Sequence, residues 1–153
     1  MFKRRLKEIM LYMINSSEAT IAAIATAVSA GQGGIAIVRI SGPAAEQVGR
    51  EILTFKGKQS WESHKICYGN VISKDGKEHL DEVLTFLMRS PRSFTGEDIV
   101  EIHCHGGHIA VQRVLDRVLE HPSVRRAMPG EFSQRAVING RLNLTQAEAI
   151  SEL

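Results

Sequence analysis

The sequence predicts an α+β domain, a mixed sheet with flanking helices. Short β-branched runs alternate with amphipathic helical stripes along the chain. Two of those runs are joined by Lys74-Asp75-Gly76, which reads as a hairpin with a glycine-containing turn and argues against a purely parallel sheet. The chain has 153 residues, 43% apolar and 24% charged, which suits one globular domain with a core of its own.

The N-terminal stretch MFKRRLKEIMLYMI has a basic front, Lys3, Arg4, Arg5 and Lys7, ahead of a short apolar block, Ile9 to Ile14. The block is shorter than a signal-peptide core and no small-residue cleavage site follows it. Residues 1–18 are therefore expected to be an extension or a mis-start, either a frayed helix or a segment upstream of a true start at Met10 or Met13. Thr20 to Val28 is alanine-rich and apolar, and a strand and a short helix both fit it. Ser29 to Gly34 reads as a flexible loop. Ile35 to Ile40 reads as a central strand, with Ile35, Ile37 and Arg39 on one face and Ala36, Val38 and Ile40 on the other.

Ser41-Gly42-Pro43 then looks like a helix start, with Ser41 as N-cap. Ala44, Ala45, Val48 and Ile52 form the apolar stripe of that helix. Lys56 to Glu62 is a polar connection. His64 to Ser73 and His79 to Met88 are the hairpin strands, and Ser90 to Gly96 is a loop broken by Pro91 and Gly96. Asp98 to Gly107, DIVEIHCHGG, reads as a strand running into a glycine turn, with Val100, Ile102 and Cys104 on its core face and Glu101, His103 and His105 on the other. A helix follows from about Gly107 to Leu119, its stripe made by Val111, Val114, Leu115 and Val118. A short strand near Val124 to Met128 leads through Pro129-Gly130 into a helix, Glu131 to Ile138, stopped by Asn139-Gly140. Thr145 and Glu148 form a T-x-x-E capping box for a last helix.

Composition narrows the function. The formal net charge of +2 is too small to argue nucleic-acid binding. Cys67 and Cys104 do not make a disulfide framework, and a cytoplasmic setting fits them. No apolar run approaches the roughly 18 residues of a membrane span. Gly31-Gln32-Gly33-Gly34 lacks the phosphate-loop lysine and precedes a strand instead of following one. His103, Cys104, His105 and His108, with Cys67 or His64 as a distant ligand, invite a metal, but Cys104 points away from its neighbours and the spacing fits zinc only loosely. The same placement argues for an inert Cys104, and no serine triad is evident.

Glu101 is the most informative residue. A carboxylate on a strand accepts two parallel N–H bonds, which guanidinium groups offer, and so does a pterin or guanine edge. Arg39 and Arg141 suit the carboxylate or carbonyl oxygens of such a ligand. An internal Glu101–arginine ion pair is the rival reading. From chemistry alone the two stand level.

Four stretches, in order, decide for a family. GGIAIVRISG (33–42), SFTGED (93–98), EIHCHGG (101–107) and PGEFSQRAVINGRLNLTQAEAI (129–150) resemble the N-terminal domain of the tRNA modification GTPases MnmE/TrmE. The resemblance implies a fold similar to the folate-binding domain of aminomethyltransferases and formation of a homodimer. It implies a tetrahydrofolate derivative as ligand, 5-formyl- or methylene-tetrahydrofolate, held by Arg39, Glu101 and Arg141. Glu101 would take the pterin edge, while His105, Gly106 and Gly107 shape the pocket. Many relatives have lysine where Arg141 stands, and a guanidinium presents a planar fork in place of a point charge.

The same resemblance divides the chain into the extension (1–18), a folate-binding and dimerisation domain (19–141) and the beginning of a helical domain (142–153). In the family, GTP, Mg2+ and K+ belong to a GTPase domain whose motifs are absent from this sequence, so GTP hydrolysis is not expected of these residues alone. The expected partners are a second copy of the chain, the MnmG/GidA flavoprotein and, through the full complex, tRNA, with no membrane. The function implied is helping to install an aminomethyl-type group on carbon 5 of the wobble uridine. A structural dimerisation module or truncated relative, without folate or GTPase activity, is the alternative.

Overall fold

The computed structural model describes residues 3–9, 19–26 and 34–151. Most of the Ile9–Ile14 block, both alternative start methionines, Ala27, Val28 and the glycine loop up to Gly33 lie outside the described residues. Residues 3–9 are helical (α1) and exposed.

A seven-stranded mixed sheet forms the body. Its strands in chain order are β1 (Thr20–Ile24), β2 (Ala36–Ser41), β3 (Leu53–Phe55), β4 (Ile66–Ile72), β5 (His79–Met88), β6 (Ile99–Cys104) and β7 (Val124–Arg126). The spatial order is β3-β4-β5-β6-β2-β1-β7. All neighbours are antiparallel except β1 and β7, which are parallel. The helices are α2 (Ala45–Ile52), α3 (Gly107–Leu119), α4 (Glu131–Ile138) and α5 (Leu144–Ser151). This is the α+β mixed sheet expected from the sequence.

Strand alternation decides where the core sits. Ala36, Val38 and Ile40 of β2 share a face with Val100, Ile102 and Cys104 of β6, and all are buried. Helix α3 covers that face across β1, β2 and β5, and α2 lies over β6. The stripe Val111, Val114, Leu115 and Val118 is at most 1% exposed. Each such side chain contributes about 1.5–3 kcal/mol by leaving water. Trp61 caps the core from inside the polar connection, its ring against Phe55 at 5.7 Å.

Two expected caps fall elsewhere. Ser41 is the last residue of β2, not the N-cap of α2, because its buried hydroxyl donates to Glu97 and pairs with Thr95. The amide of Ala44, at the start of α2, instead donates to Thr20 Oγ1 at 2.8 Å. Thr145 and Glu148 lie inside α5. The reciprocal pair is one position ahead of the helix: Gln146 N–H donates to Asn143 Oδ1 at 2.8 Å, and Asn143 N–H donates to Gln146 Oε1 at 3.0 Å. Strand β3 was not expected, since it follows α2 with no breaker between them.

Candidate functional site

The sheet face opposite α2 and α3 carries the polar residues. Arg39 and Glu101 are direct cross-strand partners on β2 and β6. Arg39 donates from Nε (3.3 Å) and Nη2 (3.2 Å), both into Glu101 Oε2. The side chains are 23% and 13% exposed, so water screens the pair only in part. Oε1 receives no hydrogen bond from the described residues. The sequence left Glu101 between an internal ion pair and a ligand, and the geometry shows the ion pair with one oxygen to spare.

Arg39 is also held between two phenyl rings. Its guanidinium carbon lies 5.2 Å from the Phe94 ring centre and 5.3 Å from that of Phe132. Such contacts contribute about 0.5–1 kcal/mol each at accessible sites. Opposite Arg39 on β1 stands Ala23, whose small side chain leaves space above the sheet. A cavity of about 500 Å³ opens there, lined by Arg39, Phe94, Phe132, Ala23, Met128 and Ile150 among others. Its size falls within the range of roughly 300–1,000 Å³ typical of small-molecule sites.

A buried ionic network sets the two rings. Arg135 of α4 is 2% exposed and donates to both oxygens of Glu97 at 3.1 Å. It also reaches Glu131 at 3.3 Å, and Arg125 of β7 grips the same carboxylate from two nitrogens at 2.7 and 2.6 Å. Burial pushes the Glu131 carboxyl up, but the Arg125 hydrogen bonds, the Met128 amide and both guanidinium charges outweigh it and hold it below the usual carboxylate range. Glu97 further accepts from Ser41, and Asn139 Nδ2 donates to Thr95 O. The loop bearing Phe94 and the helix bearing Phe132 are thereby tied together and to the end of β2.

The other expected residues are placed as follows. Arg141 is exposed just beyond α4, its stem beside Gly96. It does not line the Arg39 cavity. His105 lies past the end of β6, four residues or roughly 13 Å along the strand from Glu101. Its amide donates to Asp81 at 2.8 Å, and its Nδ1 sits 2.9 Å from Glu82 O. Asp81 also accepts from the Gly106 amide. Gly107 has φ +77°, and a Cβ on Gly106 would stand 2.4 Å from that of Ala110, so this strand-to-helix turn requires glycine at both positions.

His103, on the Glu101 face, was grouped with the metal candidates. Its Nε2 is 3.9 Å from Glu101 Oε1. Among the described residues no three histidine, cysteine or acidic side chains converge as a metal site. Burial and, second, the charge of Asp81 push the Cys104 thiol up to about 12, so no thiolate is available there. No described helix is long and apolar enough to cross a membrane. The arrangement offers an acceptor oxygen, a guanidinium and two flat apolar walls to a ligand with N–H donors. Sequence reasoning missed Phe94, Phe132 and the Glu97–Arg135–Glu131 network.

Residues 20–141 match the family model described as "GTP-binding protein TrmE N-terminus". The chain is 71% identical over 134 residues to the tRNA modification GTPase MnmE of Prochlorococcus marinus (strain MIT 9303), which covers 88% of this chain and 29% of that protein. It is 70% identical over 134 residues to the protein of that name in Synechococcus sp. (strain CC9902), covering 88% and 30%. For Parasynechococcus marenigrum (strain WH8102) the figures are 67% over 140 residues, 92% and 31%. The chain thus spans about three tenths of the length of these relatives.

Proposed function

The chain belongs to the TrmE N-terminal family, and we propose that it is the tetrahydrofolate-binding and dimerising domain of a tRNA modification GTPase. In that role it helps install an aminomethyl-type group on carbon 5 of the wobble uridine. One observation carries the folate reading: Glu101 keeps an open acceptor oxygen beside an arginine that lines a cavity walled by two phenyl rings.

The residues fit the group. A pterin edge presents a ring N–H beside an amino group, and the two lone pairs of Glu101 Oε1 are the acceptors left for them. Phe94 and Phe132 offer flat apolar walls, Arg39 suits a ring carbonyl oxygen, and exposed Arg141 suits an outer carboxylate. When bound, the folate supplies the one-carbon unit. The protein's part is to hold that donor in place, and fixed placement alone lowers a barrier substantially. Flavin chemistry belongs to the MnmG/GidA partner, tRNA is engaged through the full complex, and GTP hydrolysis belongs to the longer relatives' GTPase domain. A second copy of the chain is the expected partner of this domain, in the cytoplasm.

Titration calorimetry with 5-formyl-tetrahydrofolate tests the reading. Glu101→Ala is expected to weaken binding by about 2–3 kcal/mol, since charged hydrogen bonds are lost. Unchanged affinity would remove Glu101 from the site. The Arg39–Glu101 pair also favours a second reading, a structural dimerisation module without folate. A ligand present at a hundred times its Kd stabilises the native state by about 2.7 kcal/mol, so an unshifted Tm in excess folate selects that module.

A further inference from the structure

We propose that His103 is a positioning residue for Glu101, which leaves the carboxylate's open oxygen to a ligand only while its own imidazole is neutral. The proposal rests on the folate reading above and assigns a pH dependence to the same site.

Both Arg39 donors enter Oε2, which fills the two lone pairs of that oxygen. Oε1 is therefore the acceptor left for a ligand's N–H groups. The group facing Oε1 is His103 Nε2, at 3.9 Å, beyond hydrogen-bond reach. That nitrogen is shielded from solvent and has no hydrogen-bond partner. The imidazole is steadied by Phe86, whose ring meets it edge-on at 4.7 Å and 89°. A buried ring nitrogen with no partner is thus held just short of one carboxylate oxygen.

Protonation changes that balance. An imidazolium forms a shorter, charge-assisted hydrogen bond to a carboxylate. It would draw Oε1 onto His103 and occupy the oxygen that Arg39 leaves open. A carboxylate already shared by two cations is also a weaker acceptor for a third donor.

The charged surroundings of His103 are few. On β6 they are Glu101 and His105; on β2, Arg39. From β5 the residues against it are Leu84 and Phe86, neither titratable, and Glu82 lies farther along, beside His105. Burial lowers the His103 pKa most, Glu101 raises it, and Arg39 and His105 lower it, with a net fall below the ordinary imidazole value. His103 is then neutral at neutral pH and the site is open. Affinity falls as pH drops through the His103 pKa, by up to about tenfold per pH unit for one linked proton.

The test is calorimetry of 5-formyl-tetrahydrofolate on the chain from about pH 5 to about pH 8, wild type against His103→Gln. Ligand titration is common to both proteins and cancels in the comparison. The wild type should lose affinity on the acid side, and the variant should be flat relative to it. Equal pH slopes overturn the role of His103. Glu101→Ala separates the two ideas: if it leaves binding unchanged, the folate reading fails, whereas binding that needs Glu101 but ignores His103 rejects only this proposal. A ligand-free readout guards against a variant that fails to fold. The His103 ring titration, followed by NMR, should move to lower pH in Glu101→Gln, because a neighbouring negative charge is gone. An unmoved titration overturns the contact.

Discussion

Arg135 and Glu131 are the residues whose placement depends most on tertiary structure. A guanidinium that is 2% exposed is tolerated because Glu97 and Glu131 both take its hydrogen bonds. Arg135→Met should cost about 3–5 kcal/mol, because it takes the guanidinium from Glu97 and leaves Glu131 to Arg125 and the Met128 amide, and urea unfolding will read the loss. The sign of the pH effect follows from Glu131. Its folded pKa is depressed, so its contribution is complete above the ordinary carboxylate pKa of about 4.3 and is lost as pH falls through the lower folded value. Glu131→Gln should flatten that acid limb of the stability curve; an unaltered limb would show that other carboxylates govern it. None of this was legible in the sequence. A charged residue in an eight-residue helix reads as solvent-facing until the fold brings its partners from positions 97 and 125. Phe94 and Phe132 were hidden for the same reason, since nothing local marks them as neighbours of Arg39.

Elements were more legible where periodicity is strong. Gly107–Leu119 and Glu131–Ile138 fall where the stripe, the Pro-Gly turn and the Asn-Gly stop place them. The hairpin strands and the alternation of β2 and β6 were legible because period-2 burial is written directly in the residue order. Caps were less so, because a hydroxyl or amide takes the partner nearest in space. Ser41 found Glu97 and Thr95, and the end of α5 was won by Asn143 and Gln146. Asn143→Ala should therefore weaken α5 by about 1 kcal/mol, while Thr145→Ala, at an exposed position inside the helix, should cost nothing. Amide exchange within α5 distinguishes them, and the reverse order would restore the T-x-x-E box. Strand β3 escaped notice because three residues directly after a helix carry too short a pattern to register.

Among the described residues, one sheet carries helices α2 and α3 on one face and the Arg39–Glu101 pair on the other. Dimerisation is expected at this scale, and sedimentation velocity showing only single chains at tens of micromolar would count against it. Glu101 sits on β6, the fourth strand of seven, flanked on both sides by fully paired neighbours. Edge strands β3 and β7 have three residues each and can fray without disturbing it. Interior strands of this kind open only when the entire domain unfolds. The amide protons of 100–103 should then exchange with solvent deuterium at the rate set by global stability. Any free energy a bound ligand adds would appear there one for one, so these few amides can weigh binding without a label on the ligand.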